Sequence, residues 1–194
     1  MKRVTSFRVQ NPLQTLLRTL LSAVLLAVNA VQAQSGWNAV SEGSIVLFRH
    51  ANAPGIGDPD NFKLGDCSTQ RNLDDVGRQQ AGSIGEQFRA RKITVGRVLT
   101  SQWCRTRDTA QLAFPGQPVE APAFNSFFED RSTSGAQTAQ ALQTLTQWRG
   151  PGVLVVVTHQ VNITALTDVV PSSGEGVVVK PLGQTLQVLA RLQP

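Results

Sequence analysis

Three short apolar runs along the chain have the pattern of buried β-strands. Each is continuous and rich in β-branched residues, as expected for a strand that is covered on both faces. These runs are residues 44–49 and 153–158, with residues 97–100 as a shorter and weaker example. Two longer segments, residues 73–89 and 136–148, have apolar residues near helical spacing instead. Because strands alternate with helices, the pattern predicts an α/β fold, a three-layer α/β/α sandwich with a mostly parallel sheet.

The C-terminal part of the chain has a different pattern. Residues 177–180 and 185–192 have the character of two strands, and Pro181, Leu182 and Gly183 between them are typical of a tight turn. We therefore expect an antiparallel hairpin at one edge of the sheet.

The first 33 residues have the pattern of an export signal. Basic residues come first, an apolar run covers residues 20–28, and Val31-Gln32-Ala33 offers small residues to a signal peptidase. We expect cleavage after Ala33, with Ala30 as the second choice. An uncleaved membrane anchor is the alternative, but the run is shorter than the ~20 residues that a spanning helix needs.

This interpretation predicts a signal peptide at residues 1–33 and a single domain at residues 34–194. The mature protein is then exported, to the periplasm of a Gram-negative bacterium or otherwise into the medium. We expect no stable membrane insertion after cleavage.

The basic charge of the chain comes mostly from the predicted signal peptide. The whole chain has 18 Lys and Arg against 13 Asp and Glu, and residues 1–33 hold four of the basic residues and no acidic one. The remainder has 14 basic and 13 acidic side chains, a net charge of +1. We therefore expect no nucleic-acid partner.

Both histidines of the chain follow predicted strands. His50 comes directly after the first apolar run, beside Arg49, and His159 comes after the last run. Arg105 follows the middle run. Parallel strands bring their carboxyl ends to one edge of a sheet, where ligands of such folds bind. A single histidine at a strand end is more often structural, but this combination predicts a cationic pocket for an oxyanion such as phosphate.

Such groups suit the cleavage of a phosphate ester. An imidazole can attack phosphorus and form a phosphohistidine, which water then hydrolyses. Arginine stabilises the charge on the phosphoryl oxygens, and a carboxylic acid protonates the departing alkoxide. Glu129 and Asp130 are candidates for this acid in the segment 124–131, although a solvated loop pair is the simpler interpretation of their spacing.

Four blocks of sequence follow one another in an order typical of one family. They are Arg49-His50-Ala51, residues 73–81 (LDDVGRQQA), residues 101–110 (SQWCRTRDTA) and Thr158-His159-Gln160. They are similar to the motifs Arg-His-Gly, Leu-Thr-x-x-Gly-x-x-Gln-Ala, Ser-Pro-Leu-x-Arg-Thr-x-x-Thr-Ala and Ser-His-Gly. On these residues the chain resembles the histidine phosphatase superfamily, the group related to phosphoglycerate mutases and acid phosphatases.

The resemblance implies a role for each matched residue. It makes His50 the nucleophile and places Arg49, Arg105 and His159 in the phosphate pocket, with His159 also in the catalytic set. Arg107 stands two positions beyond the matched arginine and is not expected to replace it.

The general acid is implied less directly. Glu129 falls where members related to the mutases carry their acid, on a loop before the last parallel strand, and Asp130 is the second candidate. The resemblance thus implies a phosphatase that hydrolyses phosphate monoesters without a metal or another cofactor, and the N-terminal pattern adds export. We expect a small-molecule or glycan phosphate ester as substrate, and a phosphoprotein stays open.

Two other functions remain open at this point. One is a catalytically silent protein of the same fold that binds phosphate or a polyanion. The other is a phosphomutase, which the predicted export disfavours because sugar phosphates are cytoplasmic. The sequence specifies neither the substrate nor the oligomeric state.

The chain departs from the family pattern at two places. Ala51 replaces a glycine and adds a methyl group where the backbone approaches the phosphate, and Gln102-Trp103 replaces Pro-Leu. The loop 52–68 leaves the catalytic strand, so we expect it to determine substrate specificity.

Cys67 and Cys104 are the two cysteines of the chain. Disulfides persist in exported proteins, so we expect one bridge, which would tie the specificity loop to Arg105. Two unpaired thiols are one alternative. A zinc site of two cysteines and two histidines is another, but no pair of them has the usual short ligand spacing.

Overall fold

The computed structural model describes residues 36–193, so the predicted signal peptide, residues 1–33, lies outside the described residues. Six strands are present in this part of the chain: β1 (Ile45–Arg49), β2 (Val95–Thr100), β3 (Pro118–Glu120), β4 (Val153–Thr158), β5 (Gly176–Leu182) and β6 (Thr185–Leu192). Four α-helices accompany them: α1 (Asp75–Ala90), α2 (Cys104–Ala113), α3 (Ser134–Thr146) and α4 (Gln160–Thr167). Within residues 36–193, no helix combines the length and the apolar character needed to cross a membrane.

The six strands form one sheet in the order β3-β2-β4-β1-β5-β6. The first four of these are mutually parallel, whereas β5 pairs antiparallel with β1, and β6 pairs antiparallel with β5. This arrangement confirms the predicted mostly parallel sheet with a C-terminal antiparallel hairpin.

Each face of the sheet has its own hydrophobic core. Successive side chains of a strand point to opposite faces. Val46 and Phe48 of β1 therefore pack in one core with α1 and α2. Ile45 and Leu47 of the same strand pack in the other core with α3 and α4. Helices cover both faces, which confirms the three-layer sandwich.

Two helices have no counterpart in the hydrophobic pattern. The buried side of α2 includes Arg105, Thr106 and Thr109, so the helix lacks a continuous apolar stripe. The other, α4, has only eight residues. Both helices begin a few residues beyond the carboxyl ends of parallel strands, α2 after β2 and α4 after β4, and polar residues of the site are buried there.

The predicted bounds of α1 and of the C-terminal turn need small corrections. Asp74 is the N-cap of α1 and its carboxylate accepts the Gly77 N–H at 2.7 Å, so Leu73 precedes the helix. In the hairpin, β5 continues through Leu182 and the turn lies at residues 183–184. Pro181 fits in β5 because β1 pairs with that strand only as far as Val179.

Candidate active site

His50 follows β1 directly and lies at the carboxyl end of the parallel strands. Its backbone N–H donates to the carbonyl oxygen of Thr158 at the end of β4 over 2.9 Å, and the residue is only 3% exposed. The Nδ1 atom lies 2.8 Å from the carbonyl oxygen of Ala51. Because a carbonyl oxygen can only accept, Nδ1 carries the proton and Nε2 keeps its lone pair.

The surroundings of His50 keep its imidazole uncharged. Burial lowers the pKa of His50 most, and three positive charges add to this effect and bring the pKa to about 3. They are the guanidinium groups of Arg105, Arg49 and Arg71. The hydrogen bond to the Ala51 carbonyl raises the pKa but is outweighed. His50 is therefore a neutral base near pH 7, the state in which an imidazole acts as a nucleophile.

The second histidine, His159, lies at the end of the neighbouring strand β4. His159 follows β4 directly, is buried, and has its ring centroid 5.6 Å from that of His50, in an edge-on arrangement. Its Nε2 lies 2.9 Å from the hydroxyl oxygen of Ser101, which follows β2. Burial and the charge of Arg105 lower its pKa well below the usual value. The sheet thus brings both histidines to one edge, as the sequence predicts.

Two arginines accompany the histidines, and each is held through its terminal nitrogens. Arg49 donates through Nη1 to the carbonyl oxygen of Pro171 at 3.0 Å. Arg105, in the first turn of α2, donates through both Nη atoms to the carboxylate of Asp58, at 2.7 and 3.1 Å. The Nε atoms of both arginines are buried and have no hydrogen-bond partner among the described residues. Buried unpaired donors of this kind are suited to a bound anion.

These side chains line a pocket of about 200 Å³. Its inner part contains the two histidines, Arg49, Arg105, Arg71 and Asp58. We call Ile56, Phe128 and Arg131 its outer rim, because all three line the pocket and are exposed, Ile56 to 92%. Arg107 does not line the pocket and instead lies 3.3 Å from a carboxylate oxygen of Glu120.

Sequence reasoning missed two charged residues of the pocket. Asp58 lies in the loop assigned to specificity, and Arg71 lies just before the block of residues 73–81. Arg71 donates through Nε to the carbonyl oxygen of Gly57 at 2.8 Å and through Nη1 to that of Ala53. Neither residue belongs to a matched motif, so the only available signal was the position of Asp58 in that loop.

The two candidate acids lie outside the lining of the pocket. Glu129 is exposed, and a methyl group added at Gly57, which does line the pocket, would lie 2.6 Å from its Oε1. Asp130 is also exposed and accepts hydrogen bonds from the backbone N–H and the hydroxyl of Ser132, which lower its pKa. Glu129 is therefore adjacent to the pocket wall, whereas Asp130 caps a short 3-10 helix.

The departure at Ala51 has a simple structural explanation. Ala51 is fully buried, and its side chain packs in a small apolar cluster with Ala53, Leu73 and Ala81. It does not line the pocket. Its backbone N–H donates to the hydroxyl of Thr109 at 3.0 Å. The extra methyl group therefore packs in a core and not against the pocket.

Trp103, which departs from the family's leucine, holds the loop between β1 and α1. Its indole N–H donates to Asp58 at 3.0 Å, and its ring stacks on Phe62 with centroids 5.1 Å apart. The edge of the same ring system lies against His159, at 5.5 Å between centroids. The tryptophan thus connects the loop to the site.

The structure contains the disulfide expected from the sequence. Cys67 and Cys104 are bonded, with their Cα atoms 5.7 Å apart. The bond joins the end of the loop to the residue before Arg105, and it leaves no thiolate for the alternative zinc site. Gln70 adds a second connection, because its Oε1 accepts the backbone N–H of Cys104 at 2.9 Å.

The block of residues 73–81 packs against the segments next to His50. Gly77 packs so closely that any side chain would clash with the carbonyl oxygen of Asn52. Gln80 accepts the backbone N–H of Asn52 at 2.9 Å and donates to the carbonyl oxygen of Ser173 at 2.9 Å. Gln80 therefore joins Asn52, two residues after His50, to Ser173, and the next residue, Gly174, donates its N–H to the His50 carbonyl oxygen at 3.0 Å. These contacts give the glycine and the glutamine of the block a structural role.

Comparisons with known proteins agree with this architecture. The chain matches no protein-family model and no curated protein. It is similar to solved structures, among them the protein histidine phosphatase SixA complexed with tungstate. That match has a TM-score of 0.51 at 13% identity and covers 77% of this chain and 96% of the other.

Two further structures show the same likeness. The product of an open reading frame from Mycobacterium tuberculosis has a TM-score of 0.56 at 15% identity, with 76% of this chain and 95% of the other covered. Phosphoserine phosphatase from Entamoeba histolytica, in complex with 3-phosphoglyceric acid, has a TM-score of 0.53 at 13% identity, with 78% and 97% covered. The chain therefore has the fold of the histidine phosphatase superfamily, as its four sequence blocks predict.

Proposed function

We propose that the protein is an exported phosphatase that hydrolyses phosphate monoesters through a covalent phosphohistidine at His50. One observation carries this proposal. The buried, neutral imidazole of His50 keeps a free Nε2 in the same pocket as two arginines whose buried Nε–H groups lack partners among residues 36–193. A nucleophile and donors for the phosphoryl oxygens are thus already together before any substrate binds.

In the first step, the Nε2 lone pair of His50 attacks phosphorus, and the bond between phosphorus and the ester oxygen breaks. That oxygen leaves with the bonding electrons and takes a proton from a carboxylic acid. In the second step, water attacks the phosphohistidine and gives a proton to the same carboxylate. The P–N bond breaks, its electrons return to Nε2, and phosphate leaves.

The other side chains of the pocket stabilise the charge on phosphorus. Arg49 and Arg105 line the same pocket as His50 and would donate to the phosphoryl oxygens, and His159 lies beside His50. A guanidinium group matches the geometry of an oxyanion and keeps its charge at any physiological pH, which is why arginine suits this task.

We assign the general acid to Glu129. Asp58 is the carboxylate that lines the pocket, but it is engaged by Arg105 and cannot readily hold a proton. Burial raises the pKa of Asp58, yet the hydrogen bonds and charge of Arg105 outweigh burial and leave it below its ordinary value. Glu129 adjoins the pocket wall at Gly57, so a small movement of its exposed side chain brings it to the leaving group.

The size of the pocket and its outer rim bear on the substrate. A space of about 200 Å³ is below the ~300–1,000 Å³ of typical ligand pockets, so it encloses the phosphate and little else. The leaving group then lies against Ile56, Phe128 and Arg131. A small-molecule or glycan phosphate ester fits this arrangement, and the Cys67–Cys104 disulfide supports export to an oxidising compartment.

A catalytically silent phosphate-binding protein is the second candidate. It is favoured by the position of Glu129 outside the pocket lining. Trapping of the intermediate separates the two functions: the protein is mixed with a phosphate ester labelled in its phosphoryl group and denatured in alkali, where the P–N bond survives. We expect label on one histidine peptide in the wild type and none in His50→Ala.

Arg107→Ala is the control, because it removes an arginine close in sequence that does not line the pocket. Wild-type protein that binds phosphate but never releases it from an ester, or His50→Ala that retains turnover, would overturn the phosphatase proposal. Transfer of the label to a second hydroxyl compound instead of to water would indicate a mutase.

A further inference from the structure

Asp58 is the only carboxylate among the described residues that line the pocket. Its side chain is 7% exposed although it lies in the long loop between β1 and α1. Oδ1 accepts from Nη1 of Arg105 at 2.7 Å and from the backbone N–H of Arg71 at 3.2 Å. Oδ2 accepts from Nη2 of Arg105 at 3.1 Å and from the indole N–H of Trp103 at 3.0 Å.

This arrangement leaves one edge of the Arg105 guanidinium without a partner among the described residues. A guanidinium group has five N–H donors in a planar fork. The carboxylate takes one hydrogen from each terminal nitrogen, so the edge formed by Nε–H and the outer hydrogen of Nη2 remains. The Nε atom is buried and lacks a partner within residues 36–193. The remaining edge is therefore a second two-pronged donor for an oxyanion.

The loop that carries Asp58 is held in place at several points. Phe62 stacks on Trp103, the Cys67–Cys104 disulfide joins the loop to the start of α2, and Gln70 accepts the backbone N–H of Cys104. A carboxylate with four donors on such a segment is not free to leave when an anion arrives. These contacts restrain the loop on the C-terminal side of Asp58, as expected if Asp58 is a fixed part of the pocket wall.

We propose that Asp58 is a positioning residue, which holds both terminal nitrogens of Arg105 so that the Nε edge is presented to the substrate's phosphoryl group. The proposal rests on the proposed function, since it assigns Arg105 to the phosphoryl oxygens. A fixed guanidinium loses little conformational entropy on binding, and its donors already have the orientation that the transition state requires.

The test compares Asp58→Asn with Asp60→Asn, a control in the same loop whose side chain is exposed. In Asp58→Asn the amide cannot accept from both arms of the fork, so the guanidinium is free to rotate. We expect kcat on an aryl phosphate to fall tenfold to a hundredfold with a smaller change in KM, and inhibition by vanadate to weaken. Asp60→Asn should match the wild type.

Two other roles for Asp58 predict different results. A displaceable plug, or a charge that merely weakens anion binding, predicts that vanadate and phosphate bind more tightly to Asp58→Asn, since a negative charge has left the pocket. A structural role alone predicts unchanged kcat and KM with a lower melting temperature. Either result would overturn the proposal.

A double-mutant cycle shows whether Asp58 acts through Arg105. If it does, Asp58→Asn changes kcat by less than threefold when Arg105 is already replaced by alanine. If the double variant instead loses activity by the product of the two single losses, the residues act independently and the proposal is contradicted. Should Asp58→Asn fail to fold, Trp103→Phe removes one of the four donors and should weaken vanadate inhibition by a smaller factor. An unchanged inhibition constant in that variant counts against the proposal.

Calorimetric binding of vanadate needs no turnover, so it separates this inference from the proposed function. Wild-type protein without phosphatase activity refutes the proposed function, and the Asp58 inference is then judged by vanadate affinity alone. An active wild type with an equally active Asp58→Asn refutes only the inference.

Discussion

The Nδ1 atom of His50 lies 2.8 Å from the carbonyl oxygen of Ala51, the next residue in the chain. This contact fixes the tautomer of the imidazole without a carboxylate partner, so the proposed nucleophile gains no negative partner that would favour its protonated form. The free Nε2 and the lowered pKa both leave an uncharged imidazole with an available lone pair, as the proposed attack on phosphorus requires.

The first prediction concerns this protonation state. The chain has two histidines, so its imidazole spectrum in ¹H–¹⁵N NMR is simple to assign with His50→Ala and His159→Ala. Because the pKa of His50 is lowered to about 3 and that of His159 is lowered well below its usual value, neither ring should titrate between pH 8 and 5. His50 should show the Nδ1–H tautomer. Titration of either ring near its ordinary value of about 6.5 would contradict the structure.

The second prediction follows by linkage. Both histidines have folded-state pKa values below those of the unfolded chain, so the unfolded state binds more protons as the pH falls. Their contribution to the free energy of unfolding is complete above about pH 6.5 and is lost progressively towards the folded pKa of His50, about 3.

Urea unfolding at pH 7.5, 6 and 5 measures this loss of stability. All three values lie above the ordinary carboxylate pKa of about 4, so the histidines dominate the change. We expect stability to decrease over this range, and less so in His159→Gln. A stability that is constant or that rises on acidification would argue against buried neutral histidines.

The third prediction separates two arginines of α2. Arg105 lines the pocket and is buried, whereas Arg107 lies 3.3 Å from Glu120 at an exposed site. Arg105→Ala should lower kcat/KM for an aryl phosphate by roughly 10³-fold, the scale associated with an arginine that stabilises phosphoryl transfer. Steady-state kinetics of Arg107→Ala should stay within about twofold of the wild type. Equal losses of kcat/KM in the two variants would show that activity depends on the net charge of the protein and not on the position of the arginine.

The fourth prediction tests Glu129 through the leaving group. An alkyl phosphate needs protonation of its departing oxygen, whereas a nitrophenyl phosphate does not, because nitrophenolate is a stable anion. Glu129→Gln should therefore slow the alkyl ester at least tenfold more than the aryl ester. Asp130→Asn is the matched control, since Asp130 caps a 3-10 helix, and it should affect both substrates equally. A selective effect of Asp130→Asn would transfer the acid role to that residue.

The fifth prediction concerns the disulfide. Cys67 and Cys104 are 37 residues apart, and on the chain-entropy model a bridge closing such a loop stabilises the fold by about 4 kcal/mol. The double variant Cys67→Ser/Cys104→Ser should unfold at lower denaturant concentration and have a lower kcat/KM, because the bridge adjoins Arg105. The wild type assayed with and without reductant supplies the comparison. Unchanged activity and stability after full reduction would show that the loop keeps its position without the disulfide.

The sequence by itself determined the layers of the fold and the centre of the site. Both are encoded locally: a buried parallel strand needs a continuous apolar run, and the residue that ends it must stand at the carboxyl edge of the sheet. His50 and His159 could be placed together for this reason. The same reasoning could not find α2, because the inward side of that helix carries Arg105 and threonines instead of an apolar stripe.

Only the tertiary structure decided which residues the long loop contacts. Asp58 meets Arg105 across 47 positions of the chain, and no periodicity or motif records a contact of that range. The pairing exists because Trp103, Phe62 and the disulfide hold the loop against the start of α2. Hydrophobic pattern is a property of neighbouring residues, whereas the partner of a buried charge depends on where the whole chain brings an opposite charge.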